Sequence, residues 1–80
     1  MKTFLYTVEY SATKANGGRD AEVTVYRIRR NLPERIGAQV ENTASMKSIR
    51  GSALDVIHAF TGQDFRRLRY DNEKMRLVQL

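Results

Sequence analysis

The chain has 80 residues, with 14 Lys and Arg against 9 Asp and Glu, one His, and neither Cys nor Trp. A core this small cannot be divided or shelter a large catalytic cleft, so residues 1–80 read as one domain; the absence of Cys excludes disulfides, thiolate metal sites, iron–sulfur clusters and a cysteine nucleophile. No apolar run approaches the roughly 18 residues of a membrane-spanning helix, and Met1, Lys2 and Thr3 do not open a secretory leader, so a soluble, cytoplasmic protein with no membrane contact is expected.

Residues 3–11 alternate, with Phe4, Tyr6, Val8 and Tyr10 on one side and Leu5, Thr7 and Glu9 on the other, which is the period of a half-buried strand. Asn16, Gly17 and Gly18 accept positive φ and mark a turn, and residues 21–30 return to β-branched and aromatic character, completing a hairpin. Two registers compete. A two-residue loop sets Val8 against Val25 and brings Arg27 and Arg29 to the face of Phe4 and Tyr6. A three-residue loop pairs Val8 with Tyr26 and Tyr6 with Ile28, and turns Arg27 and Arg29 outward. The second is preferred because burying an unpaired guanidinium is costly, with a bulge between Val25 and Tyr26 to accommodate Val23 and Val25.

Asn31, Leu32, Pro33 and Glu34 read as a turn, and Ile36, Ala38 and Val40 as the apolar side of a third strand. Between Ser45 and Thr61 the period changes: Ile49, Ala53, Val56, Ile57 and Phe60 form one helical stripe, with Ser45 or Ser48 to cap its start and Gly62 to end it. Residues 65–70 and 75–80 then flank Asp71, Asn72, Glu73 and Lys74 as a second hairpin. Its expected register sets Tyr70 against Met75, Leu68 against Leu77, Arg69 against Arg76 and Arg67 against Val78. The fold expected is therefore α+β: a small antiparallel sheet in β-β-β-α-β-β order with one amphipathic helix packed on one face.

Net charge is +5 and ten of the 14 cations are Arg, whose planar fork suits phosphates and carboxylates. The expected working surface is the sheet face away from the helix, where Arg67, Arg69 and Arg76 form a basic patch that Arg27 and Arg29 extend. Like charges opposed on neighbouring strands repel, and a phosphate backbone would relieve them. A second anion site is expected at the helix start, from Ser48, Arg50 and Ser52 beside unbonded backbone N–H groups. The tyrosines fall on faces assigned to the core, and the chain lacks the glycine–aromatic pattern of an RRM, a GXXG loop and the two adjacent helices of a helix-turn-helix.

Ser52, Asp55 and His58 follow one another at three-residue intervals on the helix surface, a spacing that assembles no nucleophile, and no carboxylate pair suits acid–base work. No enzyme, metal or cofactor is expected. The reading is a non-enzymatic nucleic-acid-binding accessory protein that makes phosphate contacts. Its rival is a small protein-binding regulator or inhibitor, of the phage or mobile-element type, that docks on an acidic surface of a larger host protein. A homodimer through the edge of the C-terminal strand, at Leu77, Val78 and Leu80, is compatible with either.

Overall fold

A computed structural model describes residues 3–62, together with the backbone of residues 68–71 and 76–79. It is an α+β fold in which three antiparallel strands, β1 (Thr3–Tyr10), β2 (Ala21–Arg29) and β3 (Leu32–Glu41), form a sheet with one helix, α1 (Met46–Thr61), laid over β2 and β3. The core lies between them. Phe4 and Tyr6 of β1 and Ala21, Val23 and Val25 of β2 supply the sheet side at two-residue intervals, and Ile49, Ala53, Val56 and Ile57 supply the helix stripe. Each such side chain stabilises the fold by about 1.5–3 kcal/mol, less for the alanines.

The β1–β2 register corrects the sequence reading. Phe4 lies opposite Arg27, Tyr6 opposite Val25 and Val8 opposite Val23, so neither expected register holds and it is Val23 and Val25, not Tyr26 and Ile28, that enter the core. The turn signal of Asn16, Gly17 and Gly18 belongs to the tip of a ten-residue loop. Gly17, at φ 84, donates its N–H to the Lys14 carbonyl, while the Ser11 N–H bonds the Asp20 carbonyl at the loop's base. Burying two valines decides a register that the turn residues alone leave open. Tyr26 consequently stands on the face away from the helix, and Tyr10 is half exposed.

The β2–β3 turn is also displaced. It comprises Arg30 (φ 53) and Asn31 (φ 62), the positive-φ pair of a type I′ hairpin, and Leu32, Pro33 and Glu34 already belong to β3. Pro33 is tolerated there because β3 is bonded to a neighbouring strand on one side only. The register shift at Val25 and Tyr26 exists, but in the β2–β3 ladder: Val25 faces Gly37, Tyr26 faces Arg35, and Ile36 is the added residue. Gly37 lets the helix come close, since a Cβ there would stand 2.9 Å from Val56 Cγ1.

Ser45 caps α1 through a reciprocal box: its hydroxyl accepts from the Ser48 N–H, and the Ser48 hydroxyl accepts from the Ser45 N–H. Gly62, at φ 69, closes the other end by donating to the His58 carbonyl. The lead-in to the helix rests on the β1–β2 loop, where the Thr43 N–H donates to Asp20 Oδ1 and the Ala44 N–H to the Arg19 carbonyl.

Two short extended backbone segments follow, β4 (Leu68–Asp71) and β5 (Arg76–Gln79), antiparallel to each other. Leu68 lies opposite Gln79, Arg69 opposite Val78, Tyr70 opposite Leu77 and Asp71 opposite Arg76. This is a two-residue slip from the expected register, and it replaces the juxtaposition of Arg69 and Arg76 by one of Asp71 and Arg76, opposite charges across the strands. Arg67 and Met75 lie outside the described residues. Because β5 lies between β4 and β1, with Phe4 opposite Leu77, neither side of Leu77 and Val78 is an open edge. Leu80 lies outside the described residues.

A candidate nucleic-acid interface at the β2–β3 turn

The side chains of a strand alternate between faces, so register decides where each predicted arginine stands. Arg27 is aligned with Phe4 and Arg29 follows two residues later, which puts both on the helix side of the sheet. Arg27 and Arg29 therefore do not stand on the face away from the helix where they were expected. Arg76 is aligned with Leu5 and Arg69 with Val78 along the backbone.

The cost that argued against this placement of Arg27 is met locally. Its Nε donates to Glu34 Oε2 and its Nη2 to Glu34 Oε1, both at 3.0 Å, and the guanidinium lies over the Phe60 ring, 5.4 Å from the centroid. The Arg27 hydrogen bonds, followed by the charges of Arg27 and Arg29, hold the Glu34 carboxyl below the usual carboxylate range.

The proposed anion site at the helix start is not assembled. The Ser48 hydroxyl is engaged in the capping box and also donates to the Ser45 carbonyl. Ser52, 1% exposed, belongs to the core stripe and not to the helix surface. Its hydroxyl donates to Glu41 Oε1, and Gln39 Nε2 reaches both Glu41 Oε1 and Ser52 Oγ at 3.2 Å. Those bonds, the one from Ser52 foremost, lower the Glu41 pKa. An ionised carboxylate beside Ser52 repels the anion that this group was expected to hold.

Sequence reasoning missed Arg30, Arg35 and Phe60. Placing the turn one residue late hid Arg30, which occupies the first turn position, and Phe60 was counted with the core although it is 48% exposed. The run Arg29, Arg30, Asn31 was the available signal, because Asn accepts positive φ and two-residue loops favour it. Arg27, Arg29 and Arg30 gather at one end of the sheet, with Arg35 nearby but aligned with Tyr26 on the face away from the helix; Glu34 is the one carboxylate there among the described residues, and it is taken by Arg27. At the opposite end of the strands stand Glu9, Glu22 and Glu41, with Glu9 directly across from Glu22. Against the basic end opens a cleft of about 440 Å³ lined by Thr3, Phe4, Arg27, Ile28, Arg29, Arg30, Asn31, Phe60 and Thr61.

Among the described residues no group of three or more His, Cys, Asp or Glu is placed to hold a metal ion, and no helix is long and apolar enough to cross a membrane. Comparison with protein families, curated proteins and solved structures finds no match to this chain.

Proposed function

We propose that the protein is a non-enzymatic, cytoplasmic nucleic-acid-binding accessory protein whose phosphate contacts come from the basic end of the sheet. The observation that carries this reading is the exposure of Arg29 and Arg30 at the β2–β3 turn, beside a Glu34 already bonded by Arg27, with Arg35 adding charge on the other face of β3. Guanidinium groups not neutralised by neighbouring carboxylates are suited to phosphate oxygens. Arg69 and Arg76 are the further phosphate contacts of this reading, in a chain of β-β-β-α-β-β order that the antiparallel registers of β4 and β5 support.

Titration of labelled single-stranded and duplex oligonucleotides by fluorescence anisotropy, at low and physiological salt, tests the proposal. Binding at physiological salt that is lost in the Arg30→Glu, Arg35→Glu double variant, with circular dichroism unchanged, is the expected result. No binding by the parent protein overturns it.

A second reading, a small regulator that docks on an acidic surface of a larger host protein, draws on a different feature. β3 is bonded to a neighbouring strand on one side only, with Leu32 (68%) and Val40 (59%) exposed along it, and an open strand edge is a docking element for another chain. The same titration separates the two, because this reading predicts no appreciable affinity for any nucleic acid.

A further inference from the structure

We infer that the cleft at the β2–β3 turn takes an unstacked nucleobase of a single strand, with Phe60 as the stacking surface; the inference rests on the nucleic-acid reading and narrows it from phosphate contact in general to single-stranded ligands.

Phe60 closes the helix stripe, yet about half of it is open to solvent, an exposure that gains nothing for folding. The Arg27 guanidinium, bonded twice to Glu34, covers one face of the Phe60 ring, and the exposed remainder is the surface offered to a base. An aromatic ring beside arginines is the combination by which proteins hold single strands: bases stack on the ring while guanidinium groups take the phosphates.

The cleft volume of about 440 Å³ falls within the roughly 300–1,000 Å³ typical of small-ligand sites. Its rim supplies both kinds of contact that a nucleotide requires. Arg29 and Arg30 are exposed beside it, and Asn31 presents an amide with a donor and an acceptor for a base edge. Arg30 is held at φ 53, a conformation that Gly or Asn adopts more readily. A long cationic side chain at a strained position on the rim of a cleft is suited to a contact residue, since strained backbone concentrates at ligand sites. Duplex bases are stacked and paired, and cannot reach Phe60 without being extruded; the inference therefore predicts preference for single strands.

The test compares a labelled oligodeoxythymidylate with an abasic strand of the same length, whose phosphates and sugars are unchanged. The parent protein should bind the intact strand about fivefold or more tightly than the abasic one, the range that one stacked base supplies. Phe60→Leu should bring the two affinities together, and Phe60→Tyr should keep them apart. Equal affinity of the parent protein for both strands overturns the inference while leaving phosphate binding intact. An intact-strand preference that survives Phe60→Leu overturns the assignment of the ring. Failure of the parent protein to bind either strand overturns the nucleic-acid reading and this inference with it. The parent comparison needs no variant, so a folding defect in Phe60→Leu cannot mask the outcome.

Discussion

Arg27 and Glu34 face each other across β2 and β3 and are joined by two parallel hydrogen bonds of 3.0 Å. The pair is partly solvated, with 32% of the Arg27 side chain and 50% of the Glu34 side chain exposed. Its coupling is therefore modest: a double-mutant cycle with Arg27→Ala and Glu34→Ala should give a small favourable coupling at low salt that diminishes in 1 M salt. A coupling indistinguishable from zero at low salt would show that the bidentate geometry contributes nothing to stability.

At Arg30, stability and binding pull in opposite directions. Relief of a left-handed L-residue is worth about 1–2 kcal/mol, and the greater chain entropy of Gly returns about 0.5–1 of that. Arg30→Gly should thus raise the unfolding free energy by about 0.5–1 kcal/mol. It should also lower oligonucleotide affinity and make the slope of log affinity against log salt shallower by about 0.7 for a single strand. Urea unfolding and anisotropy on one preparation check both; a more stable variant with an unaltered slope would remove Arg30 from the interface.

Two glycines should respond with opposite signs to the same substitution. Gly37→Ala drives a methyl to 2.9 Å from Val56 Cγ1 and should cost about 1–3 kcal/mol. Gly51, inside α1, meets nothing within 4 Å, and Gly51→Ala should stabilise by about 0.5–1 kcal/mol through helix propensity. Thermal unfolding of the two variants measures how closely the helix lies on the sheet.

Acid should destabilise the fold by a traceable route. Asp20 is held below the ordinary carboxylate range by Lys14 and the Thr43 N–H, Glu34 by Arg27, and Glu41 by Ser52 and Gln39. Folded pKa values lower than unfolded ones give stability that is fully present above the unfolded value of about 4 and is lost as pH falls through the folded values. Urea midpoints should accordingly be level near neutrality and fall below pH ~4. Ser52→Ala should cost about 1 kcal/mol at pH 7, from the lost buried bond, and reduce the acid-dependent part of the curve. A Ser52→Ala profile parallel to the parent's at all pH values would contradict the assignment to Glu41.

Strand β1 and the helix were legible because their periods are carried by large residues: Phe4 and Tyr6 at a spacing of two, Ile49, Ala53, Val56 and Ile57 at helical spacing. The β1–β2 register was not legible, because Asn16, Gly17 and Gly18 announce a tight turn without revealing that it sits inside a ten-residue loop. From that slip came the wrong face for Arg27, Arg29 and Tyr26. Small residues in β3 looked like a weak strand signal, whereas Gly37 is small because Val56 packs against it. Arg27 and Arg29 were recognised as basic residues, but the partner that steadies Arg27 is named only by the pairing of β2 with β3.

The uneven charge along the strands bears on how the protein would approach its ligand. A molecule anchored by Arg29 and Arg30 turns the end with Glu9, Glu22 and Glu41 away from the polyanion. That end also carries Lys14 and Arg19 of the β1–β2 loop and Lys47 at the start of α1, so it holds charges of both signs, whereas the turn end is basic. A polyanion's field acting on that unevenness should rotate an approaching molecule so that the turn leads before contact is made.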